Sequence, residues 1–314
     1  MRIAALGVAL LVPCGALDVA AAGGHRHAVT ALAVSDHQVI TGGVDGSLRQ
    51  WSRESFALIG ALGDDSSRSA VVDLAFSPGG DLAVAQGWGG VVEVWRGPDR
   101  LRDVAAFTGR VQAVTWLGDR LVAVGEDRDP GRQAPQDDED EIPTLRPPEV
   151  RVFDANGTVT HAFTGLKGTP WAVATSADGQ RLAAGGNGDE VLVWSVADGS
   201  STRLEAPGEV GVLQFGADAL VAMGSRGTLR AAYPIGSTLQ TLELTAPARA
   251  GWAADGWLAA AGHENVTISK PVSATVTGRA YEVVGVSDEL WILLSDRIVR
   301  VGQGGNVIAS HPLK

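Results

Sequence analysis

A chain of 314 residues is long enough for one large domain or two ordinary ones, and 45% apolar residues can supply a substantial core. A formal charge of −11 repels phosphate backbones, so nucleic acid is a poor partner, and a single cysteine, Cys14, excludes an intrachain disulfide and any thiolate-cluster metal site. The 41 glycines point to many tight turns.

The chain opens "MRIAALGVALLVPCGALDVAAAGG". One Arg, about ten apolar residues and then small residues are similar to a short secretory signal, with a cut after Ala16. On that reading residues 1–16 are removed and 17–314 form one domain, periplasmic or secreted; otherwise the protein is cytoplasmic and the segment is a strand of the fold. The apolar run is too short to span a membrane. Pro13 in front of Cys14 argues against a lipid anchor there.

From Gly24 the sequence reads as short strands divided by Gly, Asp and Ser. "AVTALAVS", "QVITGG", "SLRQW" and "FALIGAL" form a four-stranded meander. The phrase returns as "AVVDLAFSPGGDLAVAQGWGGVVEVW", and again as "RVQAVTWLGDRLVAVGED", which resumes after an insertion at "EVRVFD". It then recurs as "TPWAVATSADGQRLAAGGNGDEVLVW" and "EVGVLQFGADALVAMGSRGTLRAAY", the latter with Ala232 in the Trp slot. Two weaker copies begin "ARAGWAADGW" and "RAYEVVGVSDELW". Trp51 and Trp95 lie 44 residues apart, Phe153 and Trp194 41 apart. That period, with four strands per unit, predicts seven radially stacked sheets, an all-β seven-bladed β-propeller of four-stranded antiparallel blades with almost no helix. "GGNVIASHPL" or "LDVAA" would supply the last blade's fourth strand, with the C-terminal segment favoured.

Over residues 24–310 the sequence resembles WD40-type propellers, of bacterial type and divergent in its later blades. Blade one carries the fullest pattern: Gly24-His25, Thr41, Asp45 and Trp51. The resemblance implies that His25, Thr41, Asp45 and Trp51 hydrogen-bond within the blade as a structural network, not a catalytic one. Gly89 and Gly188 stand in the Asp slot of blades two and four, and blades five to seven lack the Trp, so most blades are expected to hold by packing alone.

An insertion at 128–148 splits blade three between its second and third strands. Its run Asp137, Asp138, Glu139, Asp140, Glu141 is flanked by prolines and predicts a solvated excursion, or a docking element for a basic partner. It lacks the alternating ligands and glycine turn of a calcium loop.

The family layout places the loops after second strands and before first strands on one face, the top, where partners bind. The residues just before the Asp slot are Val44, Trp88, Asn187, Ser225 and His263. The early positions of the first strands are Thr30, Val72, Gln112, Trp171, Gly211 and Glu282. Trp88 stands out, a large aromatic in "GWGG" with glycines that cannot bury it. Trp116, Trp252, Trp257 and Trp291 are expected to fill the inter-blade core. No nucleophile elbow, phosphate-cradling loop or metal-ligand spacing appears, and no cofactor is implied. The leading expectation is a monomeric, non-enzymatic platform for a protein or peptide partner. The alternative is a ligand sensor or hydrolase-like enzyme at a channel mouth built from Asp73, Glu282 and His263.

Overall fold

A computed structural model describes residues 25–312 apart from 26, 64–68, 130–144, 207, 217–218, 226, 233–238, 243–249, 253–257, 263, 271–272 and 287. The signal-like segment, "LDVAA", the acidic run 137–141, His263 and Trp257 lie outside the described residues, as does the side chain of Trp252.

The described residues form 28 strands in seven four-stranded antiparallel sheets and contain no helix. Blade one is β1 (Val29–Val34), β2 (Gln38–Gly43), β3 (Leu48–Ser52) and β4 (Leu58–Ala61). Blade two is β5 (Val71–Phe76), β6 (Leu82–Gln86), β7 (Val91–Arg96) and β8 (Asp99–Ala105). Blade three is β9 (Arg110–Leu117), β10 (Arg120–Glu126), β11 (Glu149–Phe153) and β12 (Val159–Phe163). Blade four is β13 (Pro170–Thr175), β14 (Arg181–Gly186), β15 (Glu190–Ser195) and β16 (Ser201–Glu205). Blade five is β17 (Val210–Phe215), β18 (Ala219–Gly224), β19 (Gly227–Ala232) and β20 (Leu239–Leu242). Blade six is β21 (Ala250–Trp252), β22 (Leu258–Ala261), β23 (Asn265–Lys270) and β24 (Ala274–Thr277). Blade seven is β25 (Ala280–Val286), β26 (Glu289–Leu294), β27 (Arg297–Gly302) and β28 (Val307–Pro312). The C-terminal segment therefore supplies the last strand, and every blade is one consecutive stretch of sequence.

Burial follows position in the blade. β1, β17 and β25 are buried along their whole length, while β4, β12 and β28 are mostly exposed. The inner strands lie between two neighbouring sheets and so read as nearly unbroken apolar runs; the fourth strands reach past their neighbours into solvent. The apolar clusters straddle blade boundaries. One joins blades two and three through Val92, Phe107, Val114 and Phe153, another blades three and four through Leu117, Val152, Leu182 and Trp194. Trp116 and Trp291 are both in this core, and the Trp116 indole donates to Ala75 O of blade two at 3.0 Å.

The first strands touch in the order β1, β5, β9, β13, β17, β21, β25 and back to β1, so the ring is closed. Among the described residues no strand crosses the seam between blades seven and one. Side-chain packing closes it. Phe56, buried in the turn after β3 and held at a φ of +55°, stacks on Trp51 (5.3 Å between ring centres), Trp291 (6.0 Å) and His311 (4.4 Å). Arg300 covers the other side of the ladder, 4.7 Å from the Trp291 ring, and pairs with Glu289 at 2.6 Å. Glu289 also faces Arg53 of blade one at 3.6 Å. Burial, and then the Arg300 charge, holds His311 below the usual imidazole range, so it stacks as a neutral ring.

Truncating a buried aromatic that three rings pack against leaves a cavity with no strand to bridge it. Phe56→Ala should therefore cost about 3–5 kcal/mol in urea unfolding. Amide exchange should rise first in β1 and β25, and uniform exchange across the blades would show that the seam is not the weak boundary.

Candidate functional site on the top face

The loops of this face are pinned by a bond that recurs from blade to blade. The N–H of the residue after the second strand donates to the carbonyl of the residue before the first strand. The pairs are Val44 to Ala28 (3.0 Å), Gly87 to Ala70 (3.1 Å), Asn187 to Thr169 (3.1 Å), Ser225 to Glu209 (2.9 Å) and Ser295 to Arg279 (3.1 Å). Such close approach needs glycine at places. A Cβ on Gly186 would lie 1.9 Å from Thr169 O. The bond also fixes the register between blades. Gly87 is the counterpart of Val44, so Trp88, not Gly89, stands in the slot of Asp45, and Asp127 fills it in blade three.

In blade one the polar network runs in one direction. The Trp51 indole donates to Thr41 Oγ1 (2.8 Å), Thr41 meets His25 Nε2 (2.7 Å), and His25 Nδ1 meets Ser47 Oγ (2.7 Å). The Ser47 hydroxyl donates to Asp45 Oδ1 at 2.6 Å. This order places a proton on the Nδ1 of His25. Asp45 is partly buried, which works against its charge, but the Ser47 hydroxyl and N–H and the nearby His25 hold its carboxyl below the usual range. Ser47 is the relay between His25 and Asp45, and the sequence pattern does not include it; its signal is the Asp-Gly-Ser turn, in which an Asp accepts from the residue two ahead.

The later blades do not hold by packing alone. In blade two Glu93, fully buried, accepts from Gln86 (2.6 Å) and from the Trp95 indole (2.8 Å). In blade three Asp127 accepts from Thr108 N (2.7 Å) and Oγ1 (3.0 Å) and pairs with Arg151, which also donates to Ala106 O (2.7 Å). In blade four Glu190 accepts from Lys167 N (3.0 Å) and pairs with Arg203, and Asn187 Oδ1 accepts from Thr169 N (2.6 Å). In blade five Ser225 Oγ accepts from Glu209 N at 3.1 Å. A search for His, Thr, Asp and Trp in register misses these ties because each blade builds them from different residues.

The expected partner-facing residues separate into groups. Val44 and Trp88 are 43% and 50% exposed. The Trp88 ring lies under the Arg110 guanidinium, 5.4 Å away. Asn187 and Ser225 are exposed, with their side chains engaged as above. Trp171 and Val72 are half-buried, and Gly211 is buried. Gln112 and Glu282, expected on the rim, are instead buried at 3% and 1% exposure, and Thr30 is buried too. The reason is a β-bulge at the second residue of most first strands, which turns that side chain toward the next blade. Thr30 Oγ1 reaches Val71 O at 2.7 Å in this way. The bulge residue of blade seven is Tyr281, so Glu282 lies one step further along, in register with Asp73.

Those two carboxylates stitch neighbouring blades. Asp73 Oδ2 accepts from Val114 N of blade three at 2.8 Å, and Oδ1 from Leu74 N at 2.8 Å. Glu282 Oε2 accepts from Leu32 N of blade one. They stand on blades two and seven, and each accepts a backbone N–H. The crevice between β1, β5 and β25 has no room for a water molecule. Among the described residues no group of three or more His, Cys, Asp or Glu could hold a metal. Nor is any helix there long and apolar enough to cross a membrane.

Two consequences are measurable. Thr41→Val keeps the shape but leaves the Trp51 N–H and His25 Nε2 buried without partners, and should cost about 1–3 kcal/mol in urea unfolding. Full burial raises the Asp73 carboxyl to about 7 despite its two N–H donors. Its folded value lies above the unfolded one, so its contribution is complete below the unfolded value near 3.8 and is lost as pH rises through about 7. Unfolding free energies should accordingly fall more steeply from pH 4 to 8 for the native protein than for Asp73→Asn; parallel curves would show that Asp73 is already ionised at pH 4.

A family model described as "WD domain, G-beta repeat" matches residues 19–52, the span that holds β1, β2, β3 and the His25, Thr41, Asp45 and Trp51 network. No curated protein matches the sequence. With one blade carrying that repeat and seven sheets on the same four-strand plan around a closed ring, the protein is a WD40-like β-propeller.

Proposed function

We propose that the protein is a non-catalytic platform that holds a protein or peptide partner on its top face. WD40 propellers commonly serve as protein-interaction platforms, and the observation that carries the reading here is Trp88. It fills the slot where blade one places a network Asp, it is half exposed, and the loop that bears it is fixed at Gly87 by Ala70 O and by the Val111 N–H. A large aromatic on a rigid loop gives contact area at little entropic cost, the usual property of an interface anchor. Val44 adds apolar surface on the neighbouring blade. The acidic run 137–141, which lies in the sequence between β10 and β11 of blade three, would steer a basic partner. Where residues 1–16 act as a removed signal, that partner is met in the periplasm or outside the cell. The alternative, chemistry around Asp73, Glu282 and His263, has less support, because both described carboxylates already accept backbone N–H groups.

The test is capture from native extract on immobilised protein, native against Trp88→Ala. Loss of an anchor of this kind is worth about 2 kcal/mol or more, so a partner held by the native protein should be retained roughly thirtyfold less well by the variant, with an unchanged melting temperature. Equal retention would move the contact off this loop.

A further inference from the structure

Four of the boundaries between blades are filled by an aromatic ring from one position of the repeat. Trp51, Trp95, Phe153 and Trp194 stand on the third strands of blades one to four, opposite Val39, Leu82, Leu121 and Leu182 of the second strands. Each ring is buried in the cluster that its blade shares with the preceding one. In blade five the second-strand counterpart is Leu220, and the residue opposite it is Ala231, one before the Ala232 that the sequence pattern puts in the slot. A methyl group therefore stands where the four earlier blades have a ring.

A cavity of about 270 Å³ lies against blade four at this boundary. Its lining includes Val193, which shares an apolar cluster with Leu213, Phe215 and Leu220 of blade five. Thr202 is paired with Val193 and Arg181 with Ser195, so all four are on the side of blade four that faces blade five. The earlier boundaries show what the slot ring does beside such a wall. Val152, the counterpart of Val193 in blade three, shares its cluster with Trp194, whose ring lies 5.8 Å from that of Phe163. Val94, the counterpart in blade two, shares its cluster with Phe153.

The cavity can be entered. Its lining runs from the buried Val193 to Ala197, Ser200 and Thr202, all exposed, around the turn between β15 and β16. That turn is at the end of the ring opposite the top face.

We propose that this cavity binds a neutral, flat aromatic molecule of two fused rings, of the indole class, in the place that the repeat gives to a Trp side chain. Size and charge both support that ligand. A cavity of roughly 150 Å³ lined by apolar side chains takes up benzene, so the larger space here has room for a second fused ring. Neighbouring sheets packed face to face leave a layer about 10 Å thick, which suits a flat ring. The cation of the described lining, Arg181, faces Asp178 at 3.9 Å, so the site asks for no net charge. The rim hydroxyls of Ser200 and Thr202 suit a ring that carries one polar N–H.

The test titrates indole into the full-length protein by calorimetry, beside N-acetyltryptophanamide, which carries the same ring on a peptide backbone. The native protein should bind one equivalent. Ala231→Trp supplies the ring from the chain itself, and should weaken binding at least tenfold and melt above the native protein. Thr202→Trp sets a ring on the exposed rim without altering β19, should weaken binding as much, and decides the matter where Ala231→Trp does not fold. Binding of either compound supports the site, and the tighter of the two tells a free small molecule from a Trp side chain of another polypeptide. No saturable binding of either compound to the native protein, or unchanged affinity in Thr202→Trp, would overturn the proposal. The platform reading stands or falls separately, because neither variant alters the Trp88 loop at the other end of the ring.

Discussion

Everything in this molecule depends on a sheet that is apolar on both faces. Such a sheet cannot stand alone in water, and each neighbour that covers one face has a second face of its own to bury. Seven sheets in a ring satisfy all faces at once, which is why the apolar clusters lie between blades and not within them. The arrangement works only if the ring closes. Because each blade is a consecutive stretch, no strand pairing among the described residues ties the last to the first, and the seam relies on the Trp51, Phe56, Trp291 and His311 stack with its Arg300, Glu289 and Arg53 cap. The positive φ at Phe56 is the local strain that places the ring in the stack.

Closing the ring also brings seven inner strands together with one edge unpaired. A free N–H that is buried there needs an acceptor. Asp73 and Glu282 answer this at two boundaries, each reaching one residue along into the next blade. Thr30 serves a carbonyl in the same way from the bulge. The charges that look catalytic in the sequence thus satisfy a packing requirement.

Rigidity of the top face follows from loops bonded to loops. The recurring N–H to carbonyl bond is a property of the backbone, and apart from the glycine its close approach needs beside Thr169, side chains at those positions are released for other work. Blade one uses its slot for Asp45 and a relay through Ser47, blade three for Asp127 and Arg151, and blade two for an exposed Trp88. The same slot therefore serves as a strut in one blade and as a candidate anchor in another.

The fold was legible because its signal is repetitive: short apolar runs and turn residues between them, with a Trp or Phe every forty-odd residues in the first four units, recur often enough to count seven units even where the last copies fade. The C-terminal strand could be favoured for the same reason, since alternation survives in the last ten residues. What the sequence could not reveal was register at single-residue precision. A bulge shifts alternation by one residue, so Glu282 reads as the partner of Gln112 although Tyr281 holds that place, and Gly89 reads as the Asp slot although Trp88 fills it. Nor could it reveal ties such as Glu93 to Trp95 or Glu190 to Arg203, which join residues brought side by side only by strand pairing. Composition and period are sums along the sequence and survive such shifts. Which residue meets which partner depends on distances across strands and between blades, and those exist only once the ring has closed.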